Sequence, residues 1–364
     1  MGASRSLQRS SPMRLLLALL GLLLFLWWMI QPPSSSASLN INLPDASSAT
    51  PTAAMHPPKK APPIVHIEMN NLTASAYPLR NQERLLILTP LARFYDEYWQ
   101  NLLKLDYPRH LIELGFITPK THSGHIATAK LQEALRRVQN GGKKHRFAKV
   151  TILRQDFDTP VGQTERERHA LKAQKDRRAS MARARNSLVF TTLNPGISWV
   201  LWLDSDIVET PPSLFQDLAL HDKPVIVPNC FQRYRDNGVW KERPYDFNSW
   251  QDSETAQNLG RTMKDDEILL EGYAEMPTYR ALMAYQRDEK ADKHTEMLLD
   301  GVGGTALLVK AEIHRDGAMF PTFPFYHLIE TEGFAKMVRR LGHQPYGLPN
   351  YLVRYITPHR SLRT

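Results

Sequence analysis

The chain predicts an α/β domain built on a mainly parallel sheet covered on both faces. Two observations carry that expectation. Short apolar runs recur between residues 84 and 310, unbroken rather than alternating, as strands buried on both faces require. The stretches between the early runs are long and helical, as crossovers between parallel strands must be.

Arg84 to Thr89 (RLLILT) is the first strand, ended by Pro90, and a helix follows from about Leu91 to Leu105. Leu111 to Thr118 is the second strand. Ile126 to Gln139 is a helix stopped at Asn140-Gly141-Gly142. Ala148 to Arg154 is the third strand, and a long helix runs from about Thr164 to Thr192, before Asn194-Pro195-Gly196. Ser198 to Leu203 (SWVLWL), Lys223 to Pro228 (KPVIVP) and Gly304 to Lys310 complete the strands. Ligands of such sheets lie beyond the carboxyl ends of the strands, at Thr89-Pro90, Gln155-Asp156 and Asp204-Ser205-Asp206.

Residues 15 to 30 form an unbroken apolar run of 16, preceded by Arg5, Arg9 and Arg14 and by no acid. It spans roughly 24 Å at 1.5 Å per residue, short of an average bilayer. Its length, the Trp27-Trp28 pair and a poor cleavage region at Gln31-Pro32-Pro33 favour a signal-anchor over a cleaved signal peptide. The expected organisation is a cytoplasmic tail at 1–14, a membrane span at 15–30, a luminal stem at 31–80 and a folded domain at 81–364. The stem holds nine of the 26 prolines and the sequon Asn71-Leu72-Thr73, a candidate glycosylation site. A single cysteine, Cys230, excludes an intrachain disulfide framework and a Cys-rich zinc site. The net charge of +9 suits an anionic partner. A luminal domain makes nucleic acid the least fitting one.

Asp204-Ser205-Asp206 is the strongest chemical signal. Two carboxylates close a strongly apolar strand with no Lys or Arg beside them, so they repel unless a cation intervenes. Mn²⁺ or Mg²⁺ takes such oxygens and leaves positions for phosphate. Asp156-Phe157-Asp158 repeats the pattern after the third strand, as a nucleoside contact or a capping turn. Between Glu165 and Arg185 eight Lys/Arg face three acids. Arg183 and Arg185, in Met181-Ala-Arg-Ala-Arg-Asn186, are placed to reach a phosphate. Three glycines in Asp300-Gly-Val-Gly-Gly304 suggest a backbone in close approach to a ligand. Phe323-Pro-Phe-Tyr-His-Leu-Ile-Glu-Thr-Glu-Gly333 gathers the aromatics and acids that a sugar site needs.

The runs LLILTPL (85–91), SWVLWLDSDIVETPPSL (198–214), DGVGGTALLVKAEIHRDGAMFP (300–321), IETEGF (329–334) and YGLPNY (346–351) resemble the fungal mannan polymerase family of Golgi α-1,6-mannosyltransferases. The resemblance covers nearly all of residues 81 to 355. It implies a GT-A fold, GDP-mannose as donor, Mn²⁺, a type II Golgi membrane topology, a mannosylated N-glycan acceptor and assembly with related subunits. Carried onto this chain, Asp204 and Asp206 are the metal and nucleotide carboxylates, and Thr89-Pro90 the nucleotide-binding first loop. It also implies retention of configuration; the acids of this chain expected near the sugar ring are Glu330, Glu332 and Asp300, the two glutamates ahead of Asp300, which can instead shape the turn before Gly301. The family has a His soon after YGLPNYLV as a further metal ligand, whereas this chain reads Arg354-Tyr355. Either His359 or His327 takes that role, or the two Asp, the diphosphate and water hold the ion. Two other functions compete: a haloacid-dehalogenase-type phosphohydrolase, matching Asp204-Ser-Asp-Ile-Val208 with Asp265-Asp266 as its second acidic pair, and a catalytically weak scaffolding subunit.

Overall fold

The computed structural model describes residues 64–156 and 171–357. The expected tail and anchor, most of the stem, Asp158, the first residues of the helix expected from Thr164, and His359 lie outside the described residues. Among the described residues no helix is long and apolar enough to cross a membrane. Ile64 and Val65 belong to a first unit; everything described from His66 onward belongs to a second.

Three strands and three helices form the first half: β1 (Arg84–Pro90), α1 (Asp96–Leu103), β2 (Ile112–Thr118), α2 (His122–Gln139), β3 (Lys149–Arg154) and α3 (Leu171–Thr192). Then come β4 (Ile197–Leu203), β5 (Ile207–Glu209), α4 (Leu214–Ala219), β6 (Val225–Asp236), β7 (Val239–Pro244), β8 (Trp250–Gln251) and α5 (Glu254–Thr262). The chain closes with β9 (Ala281–Leu282), β10 (Met297–Leu298), β11 (Ala306–Lys310), α6 (Ala311–Arg315), α7 (Glu330–Arg340) and β12 (Pro345–Tyr355). The main sheet runs β10-β12-β6-β11-β4-β1-β2-β3. β4, β1, β2 and β3 are mutually parallel, as are β6 and β12.

β4 sits mid-sheet and is buried along its whole length. Trp199, Leu201 and Leu203 face the layer of α1 and α2, while Val200 and Trp202 face α3 and α7. Each Leu- or Val-sized side chain so buried contributes about 1.5–3 kcal/mol. Both indoles find acceptors: Trp199 Nε1 donates to Glu83 at 2.8 Å and Trp202 Nε1 to His314 Nε2 at 3.2 Å.

Four differences from the expected elements have physical causes. β11 is antiparallel to both of its neighbours, β4 and β6, because an apolar run reads the same in either direction. β12 escapes notice because PYGLPNYLVRY looks like a loop; Pro349 falls where its register on β6 breaks, between Leu348 and Leu352. α2 begins four residues early, at His122, because Thr121 Oγ1 accepts from Gly124 N at 3.2 Å. The fold also takes in the end of the expected stem. Ala74 is buried, and the Tyr107 hydroxyl, in the core, donates to the Pro78 carbonyl at 3.1 Å.

His314 is fully enclosed, and burial pulls its pKa from 6.5 down to about 4. It accepts from Trp202 at Nε2, so the proton is on Nδ1, donated to the Ala318 carbonyl at 2.9 Å. A depressed folded-state pKa stabilises fully above the unfolded value, and that stability drains away as pH falls from 6.5 toward 4. The loss attributable to His314 should reach about 3 kcal/mol. Urea unfolding at about pH 7.5, above that window, and about 4.5, near its lower end, wild type against His314→Gln, should show a steeper acid decline in the wild type; parallel declines would contradict this.

Candidate active site

The chain leaves β4 at Asp204 and turns at once. Asp204 N donates to the Thr305 carbonyl at 3.0 Å, and Ile207 N to the Asp204 carbonyl at 3.0 Å. The turn sets Asp204 and Asp206 at the carboxyl end of the buried strand. The Asp204 carboxyl is pushed up to about 7 by burial, opposed by the Arg185 guanidinium and reinforced by the charges of Asp206 and Glu330. Burial also raises Asp206, against a hydrogen bond from the Tyr355 hydroxyl. Asp206 Oδ1 is buried and has no hydrogen-bond partner among the described residues. Tyr355 is held by stacking on Tyr245, with ring centroids 3.6 Å apart.

Helix α3 supplies the positive charge. Arg178 and Arg185 are seven residues apart, two turns, and share one face. Arg185 is 2% exposed; its Nη2 lies 3.0 and 3.2 Å from the two Asp204 oxygens and its Nε 3.2 Å from Glu330 Oε1. Its guanidinium lies 5.4 Å from the Trp202 ring and 5.6 Å from Phe320. Arg185 Nη1 is buried without a partner among the described residues. Arg178 pairs with Glu332 and donates to Asn248 Oδ1 at 3.0 Å. Glu332 also accepts from Trp250 Nε1 at 3.0 Å.

The two expected glutamates therefore take different places. Helix α7 starts at Glu330, and in a helix residues i and i+2 diverge by about 200°. Glu330, with φ of 55°, turns toward Arg185 and Asp204; Glu332 turns inward and is wholly buried. In this geometry Glu332 is a counter-charge for Arg178 and does not face a sugar. Asp300, the third expected acid, is ion-paired with Arg339 and accepts from Asp252 N at 2.7 Å.

The remaining expected residues are spread out. The Thr89 hydroxyl is fully buried, donating to the Leu203 carbonyl at 2.8 Å and lying 2.7 Å from Tyr98 Oη, so it ties β1 to β4. Pro90 ends β1, half-buried. Asp156 is exposed and its Oδ1 accepts from Lys120 N at 2.6 Å, a contact between the loops that follow β2 and β3 and not a local capping turn. Arg183 is exposed, since two residues along α3 point away from Arg185. Asn71 closes a short turn of helix, Met69–Asn71. His327 does not join the Asp204–Asp206 pair: its Nδ1 lies 3.2 Å from the Glu267 carbonyl and it lines a separate cavity. Among the described residues no group of three or more His, Cys, Asp or Glu is placed to hold a metal ion. Asp265 and Asp266 are exposed, with Asp266 paired to Lys175, away from the buried setting a phosphohydrolase needs.

The Gly-rich loop packs closely on protein atoms. A Cβ on Gly303 would fall 1.6 Å from Asp246 Oδ2, and one on Gly304 2.6 Å from Arg185 Nη2. Asp246, buried beside Thr305 and Asn248, is a member of this charged cluster that the sequence did not mark.

A family model described as Anp1 matches residues 63–324. The chain is 61% identical over 286 residues to the mannan polymerase complex subunit mnn9 of Schizosaccharomyces pombe, covering 79% of this chain and 84% of that one. It is 56% identical over 292 residues to the mannan polymerase complex subunit MNN9 of Candida albicans, covering 80% and 79%. Among solved structures it is similar to the mannosyltransferase PcManGT from Pyrobaculum calidifontis in complex with GDP-Man and Mn²⁺, at TM-score 0.40 and 11% identity, covering 80% of this chain and 61% of that one.

Proposed function

The chain belongs to the Anp1 family, and from that premise we propose that it is a GT-A mannosyltransferase acting as a subunit of a Golgi mannan polymerase complex. It moves mannose from GDP-mannose to an α-mannoside on an N-glycan, with retention and in α-1,6 linkage, from the luminal side of a single-pass type II anchor. One observation carries the reading: a buried carboxylate oxygen, Asp206 Oδ1, and a buried guanidinium nitrogen, Arg185 Nη1, flank Asp204 without partners among the described residues. Burying both unmade bonds is costly. A divalent cation suits the first and a phosphate oxygen the second.

Asp204 and Asp206 would hold Mn²⁺, with water and the diphosphate completing its ligands. When bound, the ion neutralises charge that grows on the departing GDP. Arg185 donates to the diphosphate while keeping Asp204 and Glu330 oriented. Tyr355 fixes the Asp206 rotamer through its hydroxyl. Glu330 is the acid placed to stabilise an electron-poor sugar ring or to take the acceptor's proton.

The test is mass and linkage analysis of products from the purified protein with GDP-mannose, Mn²⁺ and a short α-mannoside. One added hexose, 6-linked with the α configuration, is the expected result. Phosphate released from simple phosphoesters, without need of an acceptor, would instead establish the phosphohydrolase. Absence of both activities while GDP still binds would leave the scaffolding subunit.

A further inference from the structure

A cavity of about 640 Å³ lies between α5, α7 and the loop at Tyr326–Leu328. Its volume is in the range of small-ligand sites. None of Asp204, Asp206, Arg185 or Glu330 lines it. Trp250 connects the two regions: its Nε1 donates to Glu332, and Arg280 of the cavity stacks 3.6 Å over its ring.

The charges of the cavity do not cancel. Arg280 is matched by Asp252 at 3.0 Å and Glu271 at 2.7 Å, and Arg339 by Asp300. Three further cations line the same space: Arg261 at the end of α5, and Lys336 and Arg340 one turn apart on α7. None of these three pairs with a carboxylate among the described residues. Arg261 donates to Asn258 Oδ1 at 2.8 Å, and Lys336 and Arg340 lie 5.2 and 5.8 Å from the Tyr326 ring. Arg261 and Arg340 are exposed and Lys336 is partly buried, so their donors are available to an anion that enters the cavity. Beside them is an apolar floor, Leu269 and Leu328, and the half-exposed ring of Tyr326. Tyr326 and His327 both hold positive φ, 54° and 61°, a strained backbone that brings these side chains to the cavity.

We propose that this cavity is a second ligand site, separate from the Asp204 site, that takes a phosphorylated sugar. The phosphoryl group sits among Arg261, Lys336 and Arg340. The sugar's C–H face rests on Tyr326 and Leu328, and its hydroxyls reach the free lone pairs of Asp252 and Asp300. The assignment does not depend on the donor or on the reaction at Asp204.

Calorimetric titration of the full chain in detergent, without divalent ions, tests it with inorganic phosphate, mannose 6-phosphate, mannose and phosphatidylserine vesicles. Phosphate and mannose 6-phosphate should saturate one site, and mannose should bind at least tenfold more weakly than its phosphate. Lys336→Met/Arg340→Met should weaken mannose 6-phosphate at least tenfold and leave GDP affinity within twofold. If that pair of changes does not fold, Arg261→Met, on a different helix, should weaken it at least fivefold. No binding of either phosphate, binding that survives the variants, competition by GDP, or binding only to vesicles would each overturn the proposal.

Discussion

Asp206→Asn is expected to lower mannosyl transfer at least a hundredfold while leaving the fold intact. The change keeps the side chain's volume and still offers the Tyr355 hydroxyl an acceptor. It removes the negative charge from the one carboxylate oxygen of the pair that is buried and unpartnered among the described residues. A hundredfold corresponds to about 3 kcal/mol of transition-state stabilisation, within what a bound divalent ion supplies. Asp204→Asn should be comparably damaging to transfer but should also disturb Arg185, whose Nη2 touches both Asp204 oxygens. Initial rates, with circular dichroism to confirm folding, make the check. Full rates in both variants, or rates unchanged in excess chelator, would contradict the assignment.

Glu332→Gln should act on stability rather than on chemistry. Glu332 is wholly buried, and Arg178, 9% exposed at its side chain, is its partner. Removing the carboxylate's charge leaves a buried guanidinium without its hydrogen-bonded counter-charge, with only the more distant Glu330 and Asp246 acting on it, a loss of about 3 kcal/mol. Replacing both partners at once, Arg178→Met with Glu332→Leu, should recover most of that loss, because the uncompensated charge is gone. Urea unfolding of the three proteins distinguishes the cases. A stable Glu332→Gln variant with transfer reduced a hundredfold would return Glu332 to the reacting centre.

The sheet and the Asp204-Ser205-Asp206 turn were legible because each is local. SWVLWL is too apolar to lie anywhere but mid-sheet, and the residues at the carboxyl end of such a strand stand where a ligand site forms. Arg185 was legible as the basic end of a helix next to that strand. Arg178 was overlooked although its signal was present, seven residues back on the same helical face. The Glu330–Glu332 question turned on one boundary. In a strand the two share a face; because α7 starts at Glu330 they part, one to the site and one to the core. Asp246 left no local trace. It matters through a Gly303 backbone 57 residues away, a closeness that only the folded chain creates. Tyr355 stood out only as a departure from a family pattern, and its stacking on Tyr245 depends on strand β12, whose prolines disguised it.

The antiparallel strand β11 has a consequence for how the chain comes together. Strands β1 to β4 are successive in the chain and can pair as they are made. β6 can join them only through β11, which lies about a hundred residues beyond β4, and the far edge of β6 is taken by the last strand, β12. Each doubling of such a loop adds only about 0.6 kcal/mol to the entropy of closing it, so distance costs the finished sheet little. It costs time, since apart from the local β6–β7 hairpin the second half of the main sheet pairs only across long stretches of chain. Asp204 and Asp206 lie on this seam: one receives its backbone contact from Thr305, the other its hydroxyl from Tyr355. The setting of the two carboxylates is therefore completed by the far end of the domain, and a truncation that removes β12 would take Tyr355 from Asp206 while leaving β4 whole.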